Sequence, residues 1–294
     1  RSGIFQVPPM TEASPQDALD ILLARCQEAR TPCGDGHLVW RIWGAPEQPA
    51  VVLLHGGFGA WNHWVRNIRA LETNYRVIVP DLPGCGDSDD APDRPDAKSL
   101  AEILSAGLDL VVPEKATFDL AGFSFGGLLA GPVAHHQTSR VRSLTIVGTP
   151  ILGLTTTGPA NALVPVPPHL APDEAAPIYR GNLEKLMVHN PDSVDELAMT
   201  LHMQNMAKNR LRSRGIARRT IAADSLRGLT CRLNFVFGDK DPTLDPDLNG
   251  IRAAAAVIQP EAPFHVFRET GHWVQYEAAD AFNTLLPNLL SASA

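Results

Sequence analysis

Three residues far apart in the chain have the types that nucleophilic catalysis requires: a serine, an aspartate and a histidine. The serine, Ser124, lies in the run Gly122-Phe123-Ser124-Phe125-Gly126, between one apolar stretch and another. A G-x-S-x-G run between a strand and a helix is typical of a nucleophile elbow, which exposes the serine hydroxyl at the edge of a parallel sheet. Gly122 and Gly126 fit this turn because it leaves no room for bulk two residues either side of the serine. The alternative is a glycine-rich helix start with a capping serine.

The acid and the base that would serve Ser124 are expected in loops after later strands. Asp241 follows the apolar run at residues 233–237, where a carboxylate can orient an imidazole, and Asp239 is the competing candidate. His272 lies in a glycine-flanked loop after the last predicted strand. The order Ser, Asp, His is the one expected for a sheet that carries a nucleophile elbow. We therefore predict that Asp241 orients His272 and that His272 accepts the proton of Ser124.

A glycine-rich loop, His55-Gly56-Gly57-Phe58-Gly59, follows the continuous apolar run at residues 51–54. Acyl transfer forms a negatively charged oxygen, and each preorganised N–H donor that stabilises it is worth roughly 3 kcal/mol. We predict one donor at Phe125 and a second in this loop, with Gly57 preferred and Phe58 the next choice. A phosphate-binding loop is the alternative, but no Lys-Ser or Lys-Thr follows and the glycine spacing differs. We interpret His55 as structural.

The elements that must position these residues alternate between strands and helices, which predicts a mostly parallel sheet flanked by helices. An amino-terminal helix is predicted after the cap Ser14, with Cys26 and Ala29 at the end of its buried face. Apolar runs predict strands at residues 37–43, 50–55, 76–80, 117–123, 141–147, 233–237 and 265–267.

The alternation stops between residues 150 and 228, where no strand is predicted. An irregular stretch contains Pro159, Pro165, Pro167, Pro168, Pro172 and Pro177, and helical patterns follow from Asn182 to about Ala223. We interpret 150–228 as a helical lid inserted into a core formed by 1–149 and 229–294. The lid contains a basic cluster: Lys208, Arg210, Arg212, Arg214, Arg218 and Arg219. The cluster is either a solvated face with ion pairs inside the lid or a surface that attracts an anionic substrate.

Composition limits the function classes. The 294 residues are 44% hydrophobic and 19% charged, with a net charge of −7, which gives no general case for nucleic acid or an anionic membrane as partner. No run of eighteen apolar residues predicts a membrane span, and four scattered cysteines favour a reducing, cytoplasmic compartment. The acidic run from Asp81 to Asp89 is interpreted as a turn rather than a metal site. The expected partner is a small-molecule substrate, and a homodimer is compatible with the sequence.

The motifs together resemble the α/β-hydrolase family over nearly the whole chain. The matching stretches are H-G-G-F-G at His55, D-L-P-G-C-G-D-S-D at Asp81, G-F-S-F-G-G at Gly122, G-D-K-D-P at Gly238 and G-H-W at Gly271. The resemblance implies an α/β-hydrolase fold, a Ser-His-Asp triad and a serine hydrolase that needs no metal or organic cofactor.

Two stretches are similar to the carbon–carbon hydrolases that cleave ring-fission products of aromatic degradation. One begins at Gly271 and ends at Asn283, and the other is Trp61-Asn62-His63-Trp64-Val65-Arg66-Asn67. The chain departs from that subfamily at Phe123 and His63, where asparagine is usual, and in its shorter oxyanion loop. These departures lie at the expected substrate pocket. Trp61, His63, Phe123 and Trp273 are the predicted pocket residues, and the tryptophans have ordinary core packing as their alternative.

We therefore expect an acyl-enzyme mechanism on a small carboxylic ester or lactone. The first alternative is hydrolysis of a carbon–carbon bond in a keto-acid. Less favoured alternatives are a cofactor-free peroxidase or amidase, and a receptor that uses the pocket without turnover.

Overall fold

The structure is a computed structural model that describes residues 14–154, 162–244 and 247–291. Within these ranges eight strands form one sheet. In chain order they are β1 (Gln27–Cys33), β2 (Gly36–Trp43), β3 (Ala50–Leu54), β4 (Arg76–Pro80), β5 (Phe118–Phe123), β6 (Val141–Val147), β7 (Arg232–Gly238) and β8 (Phe264–Phe267).

The described helices connect the strands and cover both faces of the sheet. In the first half of the chain they are α1 (Pro15–Leu23), α2 (Val65–Leu71), α3 (Ala97–Val111) and α4 (Phe125–His136). Between β6 and β7 lie α5 (Pro172–Leu186), α6 (Glu196–Lys208), α7 (Ser213–Ala217) and α8 (Ala222–Leu226). The last are α9 (Leu248–Ile258), α10 (Val274–Glu277) and α11 (Ala279–Ser291).

The sheet has the order β1-β2-β4-β3-β5-β6-β7-β8. β2 pairs antiparallel with both β1 and β4, whereas all the other neighbours are parallel. The predicted mostly parallel sheet with flanking helices is therefore confirmed. None of the described helices combines the length and the apolar character needed to cross a membrane.

The two central strands, β3 and β5, bring the two glycine-rich stretches to one edge of the sheet. Every residue of both strands is buried, which explains why β3 is a continuous apolar run and why β5 is apolar except for Asp119, which pairs with Arg142. Their parallel register pairs Leu54 with Gly122, so the chain leaves both strands at the same level. The loop that starts at His55 and the turn at Ser124 consequently lie side by side at the carboxyl edge, where open α/β sheets bind ligands.

Apolar side chains pack on both faces of this sheet. Alternate residues of β3 point to opposite faces, so Val52 and Leu54 belong to one buried cluster and Val51 and Leu53 to the other. α3 and α4 cover the first face, while α2 and α11 cover the second. The strands that carry the site are thus fixed from both sides.

The predicted amino-terminal helix is too long. Ser14 caps α1 as expected, but α1 ends at Leu23, and Ala29 belongs to the edge strand β1, where it pairs with Trp40. Cys26 lies between the two elements. The helical spacing of apolar residues continues past Leu23 to Cys26 and Ala29 by coincidence. The residues of β1 are mostly polar and have weak strand propensity, but pairing with β2 makes them a strand.

The predicted irregular stretch is also too long, because α5 begins at Pro172 rather than Asn182. Proline suits the first position of a helix, where its missing N–H has no partner to lose, and Pro177 lies inside the same helix. Pro159 lies outside the described residues. Among the residues described between Val147 and Arg232 there is no strand, as predicted. The lid boundaries at 150 and 228 stay a prediction.

Candidate active site

Ser124 lies at the tip of a tight turn between β5 and α4. Its φ of +52° is unusual for a non-glycine residue and is the kind of backbone strain found at functional sites. A Cβ at Gly122 would come within 2.6 Å of the Gly126 carbonyl oxygen, and one at Gly126 within 2.5 Å of the Leu54 carbonyl oxygen. Only glycine therefore fits two residues before and two residues after the serine, which is the physical reason for the G-x-S-x-G spacing.

The structure brings Ser124, His272 and Asp241 into one hydrogen-bonded chain. Nε2 of His272 is 2.8 Å from Oγ of Ser124, and Nδ1 of His272 is 2.8 Å from Oδ2 of Asp241. The aspartate and the histidine are buried, at 6% and 3% exposure, so the pair is shielded from solvent competition. Asp239 does not reach the imidazole: its backbone N–H donates to Phe267, and its carboxylate lies 3.8 Å from Lys240.

Thr243 completes the surroundings of the aspartate and was not expected from the sequence. Both its backbone N–H and its hydroxyl donate to Oδ1 of Asp241, at 2.8 and 2.7 Å. The same hydroxyl lies 3.2 Å from Nδ1 of His272. Because the two carboxylate oxygens have separate partners, Asp241 cannot rotate without losing hydrogen bonds.

The predicted oxyanion donors and the serine share one cavity. Gly57, Phe58 and Phe125 line the same cavity as Ser124. In the part of the chain that the structure describes, no hydrogen bond occupies their N–H groups. Phe58 has a φ of +56°, and a Cβ on Gly57 would lie 2.6 Å from Oγ of Ser213. The loop therefore passes close to α7, while its N–H groups at Gly57 and Phe58 have no hydrogen-bond partner among the described residues.

His55 holds this loop against the neighbouring turn. Its Nε2 accepts the N–H of Leu82 at 2.9 Å, so Nδ1 carries the proton and donates to the Gly56 carbonyl at 2.8 Å. Burial lowers the pKa of His55, which matches a neutral ring with both nitrogens used. The turn contains Asp81, which accepts the N–H of Asp87 at 2.9 Å and pairs with Arg41 at 2.8 Å. Both residues have the structural contacts expected of them.

A narrow cavity of about 70 Å³ opens at Ser124. Its walls are mostly apolar, and those from beyond β6 include Pro150, Leu154, Leu186, Met187 and Ala217. A second cavity of about 240 Å³ shares five of these lining residues: Gly57, Phe58, Leu186, Met187 and Arg214. A small reactive chamber is therefore adjacent to a larger one.

Two predicted pocket residues line these cavities. Phe123 lines the first, and its ring centroid is 5.0 Å from that of His272. His63 lines the second, and its Nδ1 is buried without a hydrogen-bond partner among the described residues. Burial, followed by repulsion from neighbouring histidines, holds the pKa of His63 well below its usual range. His202, also on the second cavity, has its pKa lowered by burial to about 4.

Trp61 and Trp273 do not belong to the pocket. Neither lines either of the two cavities. Trp61 is 6% exposed, and its ring centroid is 5.6 Å from that of Trp43. Trp273 is 2% exposed and stacks on Tyr276, with 4.0 Å between the ring centroids. Trp273 donates its indole N–H to the His63 carbonyl at 3.0 Å. They are core aromatics that support the loops, which was the alternative interpretation.

With this geometry established, comparison with known proteins identifies the family. The profile of the alpha/beta hydrolase family matches residues 51–285. A relative from Paraburkholderia phymatum, named 2-hydroxy-6-oxononadienedioate/2-hydroxy-6-oxononatrienedioate hydrolase, is 30% identical over 279 residues, covering 82% of this chain and 86% of its own. This chain belongs to the alpha/beta hydrolase family. It is a hydrolase, and the resemblance seen in the sequence is confirmed.

Solved structures agree on the fold of this alpha/beta hydrolase. An esterase from Rhodococcus superposes with a TM-score of 0.76 and 22% identity, over 92% of this chain and all of its own. A meta-cleavage product hydrolase from Pseudomonas fluorescens superposes with a TM-score of 0.71 and 22% identity, over 88% of this chain and 96% of its own. At these identities the similarity describes the fold alone.

The basic cluster of this hydrolase divides into two parts. Lys208 forms an ion pair with Asp87 at 2.6 Å and Arg210 one with Asp90 at 2.5 Å, so these partners lie in the β4–α3 connection and not within the predicted lid. Arg214 instead lines both cavities. The expectation of ion pairs inside the lid is therefore wrong for Lys208 and Arg210.

Proposed function

We propose that this hydrolase cleaves a small carboxylic ester or lactone through an acyl-enzyme on Ser124. The observation that carries the proposal is the hydrogen-bonded chain from Asp241 through His272 to Ser124, which ends at an apolar cavity. This arrangement is sufficient for acyl transfer, and nothing in it demands a further reactant except water.

The first half of the reaction forms the acyl-enzyme. His272 accepts the hydroxyl proton of Ser124 on Nε2 while Oγ attacks the ester carbonyl carbon. Asp241 holds the imidazole with Nδ1–H toward its carboxylate and stabilises the imidazolium that forms. The carbonyl oxygen becomes negatively charged and accepts hydrogen bonds from Phe125 and the Gly57–Phe58 loop. When the intermediate collapses, His272 returns its proton to the departing alcohol oxygen.

The second half releases the acid. Water takes the place of the alcohol, gives a proton to Nε2 of His272 and attacks the acyl carbon. The same N–H groups stabilise the second intermediate, and its collapse returns the proton to Ser124. One ester and one water therefore yield one acid and one alcohol, and the enzyme is regenerated.

The cavity favours a small acyl group. A volume of about 70 Å³ next to Ser124, walled by Leu128, Leu186 and Met187, suits a short aliphatic chain better than a bulky one. The larger neighbouring cavity offers room for the other part of the substrate or for an extension of the acyl chain.

Hydrolysis of a carbon–carbon bond in a keto-acid is the second candidate. It is favoured by the name of the 30% identical relative and by the two stretches that resemble carbon–carbon hydrolases. The composition of the pocket favours the ester instead. Phe123 and the neutral His63 stand where that subfamily usually has asparagines, so fewer amide groups are available to bind a dienoate.

One panel of substrates tests the proposal. Hydrolysis of p-nitrophenyl esters of increasing acyl length, and of a 2-hydroxy-6-oxo-dienoate, is measured for the wild type and Ser124→Ala. We expect turnover of short esters that falls by about 10⁴-fold or more in the variant. Preference for the dienoate would reverse the ranking of the two candidates. Full activity of Ser124→Ala on either substrate would refute the mechanism.

A further inference from the structure

Arg214 has an unusual position for a cation. It lies in α7 and lines both the cavity at Ser124 and the larger neighbouring cavity. Its guanidinium carbon is 5.0 Å from the ring centroid of Phe58, in the predicted oxyanion loop. Arg214 is therefore located where the two chambers meet, beside the reacting centre.

Among the described residues, Arg214 also lacks a carboxylate partner of the kind that Lys208 and Arg210 have. Lys208 and Arg210 are paired with aspartates, whereas no carboxylate among the described residues lies within ion-pair distance of Arg214. Of the described residues lining the two cavities, it is the one with a formal charge, since none is Asp, Glu or Lys. The protein as a whole is acidic, yet its reactive cavity is cationic.

The environment makes this charge costly. Burial lowers the pKa of Arg214, and the nearby positive charge of Arg218 adds to the effect. Arginine nevertheless stays charged in proteins, so the guanidinium is partly desolvated without an anionic partner among the described residues. A ligand carboxylate would supply that partner in bidentate geometry, which the planar guanidinium suits better than lysine does.

We propose that Arg214 binds a free carboxylate of the substrate, so that this hydrolase prefers esters that carry a negative charge, such as monoesters of dicarboxylic acids. The inference rests on the proposed function, because the ester carbonyl is taken to lie at Ser124. Arg214 then acts as a specificity-determining residue: it fixes the far end of the acyl chain while the near end reacts. Electrostatic attraction into a cavity of low dielectric also raises the rate of substrate capture.

Matched substrates test this inference directly. Mono-p-nitrophenyl glutarate and p-nitrophenyl valerate have acyl chains of similar length and differ by the terminal carboxylate. We expect the wild type to prefer the glutarate by at least about tenfold in kcat/KM. Arg214→Met should lower kcat/KM for the glutarate by about 30- to 100-fold and change the valerate less than about threefold. Arg214→Lys should recover part of the loss, because lysine restores the positive charge but not the bidentate hydrogen bonding of the guanidinium.

Arg212→Met is the matched control. Arg212 lies two residues earlier in the same basic cluster, is exposed and lines neither cavity. The substitution removes the same formal charge, so a general electrostatic effect would lower glutarate hydrolysis in both variants. We expect it to keep the wild-type preference within about twofold. An equal loss in Arg212→Met and Arg214→Met would overturn the assignment to Arg214.

A binding measurement separates this inference from the proposed function. Glutarate alone should raise the thermal unfolding midpoint of Ser124→Ala, and the rise should disappear in Ser124→Ala/Arg214→Met. If no ester is turned over but glutarate still stabilises through Arg214, the proposed function fails and the anion site stands. If esters are hydrolysed without preference for the carboxylate and glutarate has no effect, the anion site is refuted and the hydrolase mechanism stands.

Discussion

The two sides of the reactive cavity differ in how their polar groups are satisfied. On one side, the strand-end loops hold Ser124, Asp241 and His272. Both imidazole nitrogens of His272 and both carboxylate oxygens of Asp241 have hydrogen-bond partners. The opposite side, which we call the roof, is the described stretch from 162 to 217. The side chains of its cavity-facing His202 and Arg214 make no hydrogen bond within the described residues.

This difference separates two tasks. Catalytic groups gain from preorganisation, because fixed dipoles need no rearrangement when charge develops. A group that selects the substrate must instead remain free to pair with it, and a site built this way rejects ligands that leave it unpaired. We therefore expect substitutions on the strand-end side to act on kcat, and substitutions in the roof to act on substrate preference and on stability.

The largest expected effect comes from Asp241→Asn. The amide oxygen can keep the bonds from Thr243, but the NH₂ group then faces Nδ1 of His272 and cannot accept its proton. The imidazole is forced into the tautomer that presents Nε2–H to Ser124 and can no longer act as a base. We expect kcat to fall by about 10⁴-fold with the fold intact, as measured by ester hydrolysis and circular dichroism.

Asp239→Asn is its matched control, since it makes the same change two residues earlier. The Asp239 carboxylate is not bonded to His272, so kcat should change less than about threefold. A loss of about 10³-fold or more in this variant, with a mild effect of Asp241→Asn, would transfer the role of the acid to Asp239.

A pH effect on stability tests the roof. Burial lowers the pKa of His202 to about 4, from about 6.5 in an unfolded chain. Below pH 6.5 the unfolded state binds a proton that the folded state does not. The contribution of His202 to the free energy of unfolding is therefore fully present above pH 6.5 and is lost as the pH drops toward 4. We expect the titration of His202 to lower the free energy of unfolding by about 2 to 3 kcal/mol between pH 7 and pH 4.5, as measured by urea unfolding.

Two variants separate charge from packing in this prediction. His202→Leu and His202→Gln differ in polarity, but neither titrates, so both should lose less stability than the wild type over that range. His63 also has a pKa lowered by burial, and part of the acid sensitivity should therefore remain in both variants. An undiminished loss in both variants would show that His202 is not buried in its neutral form.

The same division explains what could be predicted from the sequence. The strand-end side follows from local rules: Gly122 and Gly126 mark the elbow, and Asp241 and His272 follow apolar runs that must be parallel strands. Each of these signals lies within a few residues of the chemistry it predicts. The edge strand β1 escaped prediction because its residues are polar and only pairing with β2 makes them a strand.

The roof could not be predicted at the same level. Arg214 was one of the six residues of the basic cluster in the sequence, and only the three-dimensional contacts separate it from Arg210, which pairs with Asp90. No sequence motif marks Thr243, because its role depends on the direction in which the Asp241 carboxylate points. Trp61 and Trp273 lie next to catalytic loops in sequence, but proximity along the chain does not determine which side of a loop faces the cavity.

Thr243→Val should have an intermediate effect on the strand-end side. The substitution keeps the shape and the backbone N–H bond to Asp241 but removes the hydroxyl bond of 2.7 Å. We expect kcat to fall by about tenfold with KM nearly constant, because Asp241 becomes less firmly oriented. Thr243→Ser should restore most of kcat, since serine supplies the same hydroxyl. If serine and valine have equal effects, the hydroxyl does not position the aspartate.

The smallest expected effect concerns the attachment of the roof to the core. The side chain of Arg210 pairs with Asp90 and donates to the Ser88 carbonyl, and Lys208 pairs with Asp87. These ion pairs are largely exposed, and such pairs contribute at most about 1 kcal/mol. Arg210→Gln should therefore lower the free energy of unfolding by less than about 1 kcal/mol and change kcat/KM less than about threefold. High salt should reduce the difference from the wild type further.

The reason for so small an effect is that backbone bonds make the same connection. The N–H groups of Arg210 and Leu211 both donate to the Gly84 carbonyl, at 2.8 and 3.1 Å, and a change of side chain leaves them in place. On the other side of the roof, the N–H of Trp273 donates to the Met187 carbonyl at 2.6 Å. The roof is thus tied to the core by its main chain near both cavities. A loss of tenfold or more in kcat/KM for Arg210→Gln would mean that the ion pairs hold the roof, and the separation of tasks would fail there.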